Sequence, residues 1–309
     1  MIKSFEVTNH LGESLELILA EPEKSGLAVL SVTGLGQVEA DVNLTDLAGS
    51  DFHTVNSAKL TKRNIVMKLK YWGTDIEECR HITDKFFPVK KTITFKINTD
   101  HRELITEGIV EKNEPDIFSE KSGCQISILC PDPFLYSADT AIIPFGGIEP
   151  KFETPFSVED NGLVDSDGWD QFEVGNIRLI KDKTIYYTGE AETGITIQVD
   201  AIDTVRTLEF YDLDPEHNQK ISIDDSILAS ITGGASISAG DRIIISTVKT
   251  QKSAYLIRSG VVYNIINALG MPVQWFELMR GDNIFSYTAS QGEYDMDIKI
   301  KHRIAYKGI

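Results

Sequence analysis

Cysteine is scarce in this chain: Cys79, Cys124 and Cys130 are the three among 309 residues. A number that small and odd excludes a disulfide scaffold. The one close Cys/His pair, Cys79 with His81, lacks the other ligands of a zinc site. Six histidines, at 10, 53, 81, 101, 217 and 302, show neither H-x-H nor H-E-x-x-H spacing, and no serine sits in a G-x-S-x-G elbow. Nucleophilic and metalloprotease chemistry therefore has no visible machinery. GLG at 34 to 36 and GG at 146 to 147 lack the rest of a phosphate-binding fingerprint and read as turns. Long apolar runs are missing too. MIKSFEVTNHLGE has no uninterrupted apolar stretch of the signal-peptide kind, and LAVLSV at 27 to 32 is too short to cross a bilayer, so the expectation is a chain that is cytosolic when made. Basic charge is also in deficit. Against 47 acidic side chains there are 30 basic ones, a formal charge of −17, and such a surface repels nucleic acid and anionic membranes.

What is present is a core. Apolar content of 41% and aromatic content of 9% are those of a packed protein, and the length suits two domains better than one. The recurring signal is period-2 alternation broken by turn residues every eight to twelve or so positions, the pattern of sandwiches and barrels. KSFEVTN and SLELILA predict a hairpin about NHLGE. IVMKLKY places Ile65, Met67, Leu69 and Tyr71 on one side, with Val66, Lys68 and Lys70 on the other. TITFKIN, ELITEGIV, GITIQVDAI, TLEFYDL, KISID, DRIIISTV and DMDIKIKHRIAY are further strands. In CQISILC, Cys124, Ile126, Ile128 and Cys130 alternate onto one face, which predicts buried thiols. Two segments break the rhythm. TDIEECRHITDKFF predicts a helix with Thr74 and Glu77 at capping-box spacing, Ile76, Cys79, Ile82, Thr83 and Phe86 inward, and Pro88 as its stop. VVYNIINALGMP predicts a second, shorter helix that buries Ile265, Ile266 and Leu269 and is capped by Gly270. The fold class expected is mainly β.

PDPFLYSAD, with two prolines after the Cys130 strand, is the expected boundary: a first domain at 1–136 and a second at 137–309. GGIEPKFETPFSVEDNGLVDSDGWDQ, at 146–171, reads as a long loop or a projecting arm. Within it, Asp165, Asp167 and Asp170 cluster, but their spacing is wrong for an EF-hand, and a solvated acidic loop is the plainer reading. Asp212, Asp214, Glu216 and His217 surround Pro215 and read as a turn between strands. With so many acids some pair of carboxylates always exists, so the pairing that a glycoside hydrolase needs discriminates nothing. Trp169, in a loop, is the candidate for stacking on a sugar, whereas Trp275 beside Phe276 belongs in a core. Lys59, Lys62, Arg63, Lys68 and Lys70 form the one basic concentration. Lys62, Arg63, Lys68 and Lys70 are the candidate contacts to an acidic neighbour, a solvated strand face being the alternative.

The run QWFELMRGDNIFSYTAS at 274 to 290 is apolar and patterned and carries no base or nucleophile. Together with SFEVTNHLGESLEL, VLSVTGLGQVEADVNLTDLAGSDF, RNIVMKLKYW, KFFPVKKTITFKI, EGIVEKNEPDIFSEKSGCQISILCPDPFLYS, GEAETGITIQVDAI and GDRIIISTVKTQKSAYLIR, it resembles the distal tail (Dit) proteins of long-tailed bacteriophages. The resemblance covers nearly the whole chain. It implies a structural virion protein with no enzymatic activity and no cofactor, located in the phage tail after assembly in the host cytoplasm. Copies of the chain would form a ring, typically hexameric, joining the tail tube protein to tail-tip or baseplate proteins such as the tail-associated lysin, with DNA passing through the lumen unbound. The N-terminal domain would build the ring and the C-terminal domain would be a galectin-like β-sandwich facing outward. In it, the Trp275 to Tyr287 run would be a hairpin turning at Gly281, Asp282 and Asn283. The last strand, near DMDIKIKHRIAY, would stay in that sandwich or return to the first domain. A carbohydrate-binding module and a wall hydrolase of the tail tip are the alternatives.

Overall fold

The computed structural model describes residues 1–46, 49, 51–72, 75–116, 122–145, 148–150, 177–179, 182–214, 219–234 and 236–309, with the backbone alone given for 148–150 and 177–179. The chain is mainly β, as its alternating pattern predicts. It divides into two compact units. The first comprises Met1–Thr140, Gly189–Ala191 and Arg303–Ile309; the second comprises Ala141–Thr188 and Glu192–His302.

In the first unit, a nine-stranded antiparallel sheet runs in the order Ser14–Ile18, Ile2–Thr8, Thr92–Thr99, Glu103–Asp116, Gly123–Cys130, Arg63–Tyr71 and Leu27–Thr33. Leu135–Ser137 adds to Glu103–Asp116 and to Ala305–Tyr306, so the strand ending in Tyr306 lies in the first unit. Alternation fixes which face is covered. Phe5, Val7, Ile65, Met67, Leu69, Ile93, Phe95, Ile126 and Ile128 all point into one core, where Phe5 and Phe95 stack with centroids 5.4 Å apart. A strand with period 2 buries every second side chain, and a one-residue slip would expose the whole set. Cys124 and Cys130 lie in that core, and all three thiols are free and buried.

The helix Ile76–Phe86 covers the sheet with Cys79, Thr83 and Phe86. Its cap is Asp75, whose carboxylate accepts the amides of Glu77 and Glu78. The capping-box spacing places the start one residue earlier, at Thr74, which lies outside the described residues. An aspartate accepts from the second and third helical amides as well as a threonine does, so two adjacent candidates compete and Asp75 takes the role. Ile76, expected inward, is exposed at the first turn.

In the second unit, a six-stranded sheet runs Ala141–Phe145, Met296–His302, Thr196–Ala201, Arg242–Ser246, Ser253–Arg258 and Val261–Asn264. A four-stranded sheet runs Asp182–Tyr187, Gly281–Thr288, Glu209–Asp212 and Gln219–Ser222. Their inner faces meet. Phe145 of the first packs edge-on against Tyr287 of the second at 5.4 Å, and His302 meets Tyr187 likewise at 5.7 Å. Ile197, Val199, Ile243, Ile245, Phe210, Ile221 and Phe285 complete this sandwich core.

Two expectations fail here. The helix over 261 to 272 is instead a strand, Val261–Asn264, followed by one 3-10 turn at Ile266–Ala268. Ser259 and Gly260 both adopt positive φ, 50° and 81°, and Arg258 pairs Val261. That is a two-residue hairpin loop of the type that needs a left-handed pair; β-branched Val261 and Val262 then continue the sheet. Ile265 and Leu269 bury as expected, but Ile266 is only partly covered. The second helix is Asp225–Thr232, capped by Asp224 and ended by Gly233 in the left-handed region. The second failure is the hairpin at 274 to 290. Glu277–Leu278 pairs with Thr193–Gly194, while Gly281–Thr288 pairs with Asp182–Tyr187 and Glu209–Asp212. The chain does turn near Gly281, yet its two arms enter different ladders. Asn283 holds that turn, accepting from the Met279 amide and donating to the Met279 and Gly281 carbonyls. Phe276, Leu278, Phe285 and Tyr287 are core residues, whereas Trp275 is half-buried with the Lys252 ammonium over its ring.

Candidate assembly surface

Between the edge strand Leu27–Thr33 and its partner Arg63–Tyr71, the chain runs out into a separate hairpin, Ala40–Asp46 against His53–Leu60. Every residue of both strands is exposed. Their register makes the ribbon two-faced. Ala40 opposes Leu60, Val42 opposes Ala58 and Leu44 opposes Val55 on one side. Asp41 with Lys59, Asn43 with Ser57 and Thr45 with Thr54 lie on the other. Apolar side chains that are 44% to 60% exposed, namely Val42, Leu44, Val55 and Leu60, thus line one flat strip. Asp46 and His53 bond to each other at its outer end. A bulge at Asn43/Leu44 keeps the strip continuous: the extra residue, Asn56, has no cross-strand partner and donates to Thr45 instead. An isolated two-stranded ribbon is marginal in water. An uncovered apolar face on one marks an association surface.

The hairpin's root is built around Arg63. Its side chain is 1% exposed, and all five N–H donors are satisfied by main-chain carbonyls. Nε donates to Pro133, Nη1 to Gly34 and Gly36, and Nη2 to Pro133 and Lys307, at 2.6 to 3.0 Å. Burial lowers the guanidinium pKa, opposed by the fields of Cys130 and Asp132. A planar fork with five fixed donors can gather several carbonyls at once, which an ammonium cannot do. Gly34 makes the approach feasible: its φ is +84°, and a Cβ there would fall 1.9 Å from the Asn64 carbonyl oxygen.

The candidate contact residues therefore separate. Arg63 faces the core with Ile65 and Met67 and has no donor left for a neighbouring subunit, which corrects its grouping with the lysines. Lys62 and Lys68 are exposed and Lys70 is half-buried, its ammonium 5.5 Å from the Trp72 ring centroid. Lys59, on the polar face of the hairpin, approaches Asp41 at 3.7 Å. Trp169 and the acids Asp165, Asp167 and Asp170 lie outside the described residues, as do Glu216 and His217. Asp212, from the second acidic cluster, is buried and accepts the Asp214 amide in a local turn. Among the described residues, no group of three or more His, Cys, Asp and Glu side chains is placed to hold a metal ion. No described helix is long and apolar enough to cross a membrane.

Sequence reasoning missed the hairpin as an element. The bulge shifts the alternation by one between Ala58 and Val55, so the second strand does not keep one parity along its length. It also missed the role of Arg63, although strand parity places residue 63 with 65 and 67.

No family model matches the sequence, and no curated protein does. Solved structures do. The crystal structure of the Dit protein (gp 19.1) of phage SPP1, described as a paradigm of the hub adsorption apparatus in phages infecting Gram-positive hosts, superposes with a TM-score of 0.61 at 14% identity; the match covers 98% of this chain and 100% of that one. Chains of the phage p2 baseplate in its activated conformation superpose with a TM-score of 0.53 at 13% identity. The match covers 97% of each chain in the strontium form and 98% of each in the calcium form. The chain thus resembles the Dit hub proteins and has their fold along nearly its whole length.

Proposed function

We propose that this protein is a structural subunit of a phage tail hub: a ring, six copies in the simplest case, that joins the tail tube to the baseplate or tail tip and encloses part of the DNA passage. The observation that carries this reading is end-to-end likeness to a hub protein in a chain whose most conspicuous surface feature is an uncovered apolar ribbon. A closed ring uses two different faces of each subunit and leaves no edge to propagate. The ribbon supplies one such face, and exposed Lys62 and Lys68 supply charge for an acidic neighbour. With a net charge of −17, a lumen lined by part of the acidic excess would let DNA slide without adhering. Partners on this reading are further copies, the tube protein, and tip or baseplate proteins including a tail-associated lysin. The subunit itself works as a scaffold in the virion, without catalysis.

Light scattering coupled to size exclusion tests the proposal directly. The expected mass is about six times the 34.4 kDa of one chain, with negative-stain images of a closed ring around a central hole. A monomer at high micromolar concentration, still monomeric when mixed with its cognate tube protein, would overturn it.

A further inference from the structure

The sheet and the hairpin are joined by unequal links: 34–39 on one side, and only Thr61 and Lys62 on the other. On the short side, the Thr61 amide and hydroxyl both donate to the Glu39 carbonyl. The long side has no ladder of its own and is held from elsewhere. Arg63 takes the Gly34 and Gly36 carbonyls. The amide of Ile309 donates to the Leu35 carbonyl at 3.1 Å, and the same guanidinium takes the Lys307 carbonyl at 2.8 Å. Gly308 lies so close to the link that a Cβ on it would be 2.9 Å from the Gly36 carbonyl carbon and 3.1 Å from the Gln37 nitrogen. Residues distant in sequence therefore meet where the chain passes from the sheet into the hairpin.

We propose that Arg63 and Lys307–Ile309 form a clasp that sets the direction in which the 40–60 hairpin leaves the sheet. Direction matters because the hairpin is a lever. At ~3.3 Å per residue, a seven-residue strand is ~23 Å long, so a tilt of ~10° at the root displaces the tip by ~4 Å. That exceeds what close-packed contacts tolerate. Arg63 is thus a positioning residue for a surface that it never reaches. Its consequence for assembly rests on the ring reading, but the orientation of the hairpin does not and can be measured on dispersed protein.

Spin labels on Ser57→Cys in the hairpin and on His101→Cys, in the turn between Thr92–Thr99 and Glu103–Asp116, diluted with unlabelled protein, give that distance by pulsed electron resonance. The buried native thiols are left unlabelled. The expected result is a narrow distribution in the parent, broadened at least two-fold by Gly308→Ala, which leaves Arg63 and every strand residue in place, and also by Arg63→Met. Hydrogen exchange in Thr92–Thr99 should stay unchanged in Gly308→Ala, which separates a loosened clasp from a loosened sheet. If Arg63→Met does not fold, Gly308→Ala decides alone. A broad distribution in the parent, an unaltered width in Gly308→Ala, or broadening with equal loss of protection in Thr92–Thr99 would overturn the proposal. A broadened hairpin in a variant that still forms normal rings would leave the clasp standing and remove its link to assembly.

Discussion

The guanidinium of Arg63 holds the main-chain carbonyl of Lys307 at 2.8 Å, across 244 positions of sequence. The same side chain holds Gly34, Gly36 and Pro133, so one residue closes three long loops of the first unit. Replacing it by methionine keeps the length and leaves the main-chain carbonyls of Gly34, Gly36, Pro133 and Lys307 without their donor, the first two and Lys307 in exposed residues and Pro133 half-buried. Water can replace the donor at the exposed carbonyls, so the cost is expected to be about 1–3 kcal/mol, read as a lower urea midpoint with an unchanged slope.

The hairpin strip predicts a clean separation of folding from assembly. Leu44 and Val55 oppose each other there and touch no core. Leu44→Glu with Val55→Glu should leave the melting temperature within about 2 °C, since substitutions away from packed features rarely shift stability by more than ~0.5 kcal/mol. Ring formation should fall at least ten-fold in the same protein by analytical ultracentrifugation. Rings of normal stability would place the interface elsewhere.

Alkaline pH should weaken the first unit. Burial pushes Cys124 from 9.0 up to about 12 and Tyr71 from 10.0 up to about 12. Both groups are neutral in the native state and ionise more readily in the unfolded chain. Their contribution is whole below pH 9 and is lost as pH rises from there toward 12. The denaturant midpoint should decline through that window, and Cys124→Ala should flatten the decline. At neutral pH, Cys124 should resist iodoacetamide until the protein unfolds, because the thiolate is the reactive form.

In the second unit, Asp241 is 3% exposed and is gripped by Arg258, with Nε 2.9 Å from Oδ1 and Nη2 also donating to the Ser236 carbonyl. Arg258→Met would leave a buried carboxylate without its cation. The expected loss is about 3–5 kcal/mol, with the first unit's melting transition untouched in calorimetry. Arg258→Met with Asp241→Asn should recover part of it.

The sheets were legible because their signal is local. In Arg63–Tyr71 and Gly123–Cys130, side-chain parity alone predicts which residues bury, and the structure buries Ile65, Met67, Leu69, Ile126 and Ile128 accordingly. Pairing was not legible in the same way. Nothing in Glu277–Leu278 announces Thr193–Gly194 as its partner rather than the strand that follows it, because the choice between ladders is made by long-range packing. Charge groups Arg63 with Lys62 and Lys68, whereas strand parity assigns it to the core, where the structure buries it. The helix Asp225–Thr232 carried a readable start at Asp224 and a readable end at Gly233. Its neighbours' strand-like composition hid it.

The amide of Ser137 donates to the carbonyl of Ile304, and the Ile304 amide to the Ser137 hydroxyl, at 2.9 and 3.0 Å. The polypeptide therefore departs from the first unit and comes back to it at adjacent points, and the whole sandwich is an insertion in a continuous scaffold. A different module spliced between Thr140 and Arg303 would forfeit the small Gly189–Ala191 return, with its Ala191–Ala305 bridge and the Glu190 bonds to Ala305 and Lys307. Such a layout lets the inserted sandwich change in sequence or length while the scaffold that carries it keeps its own ladders.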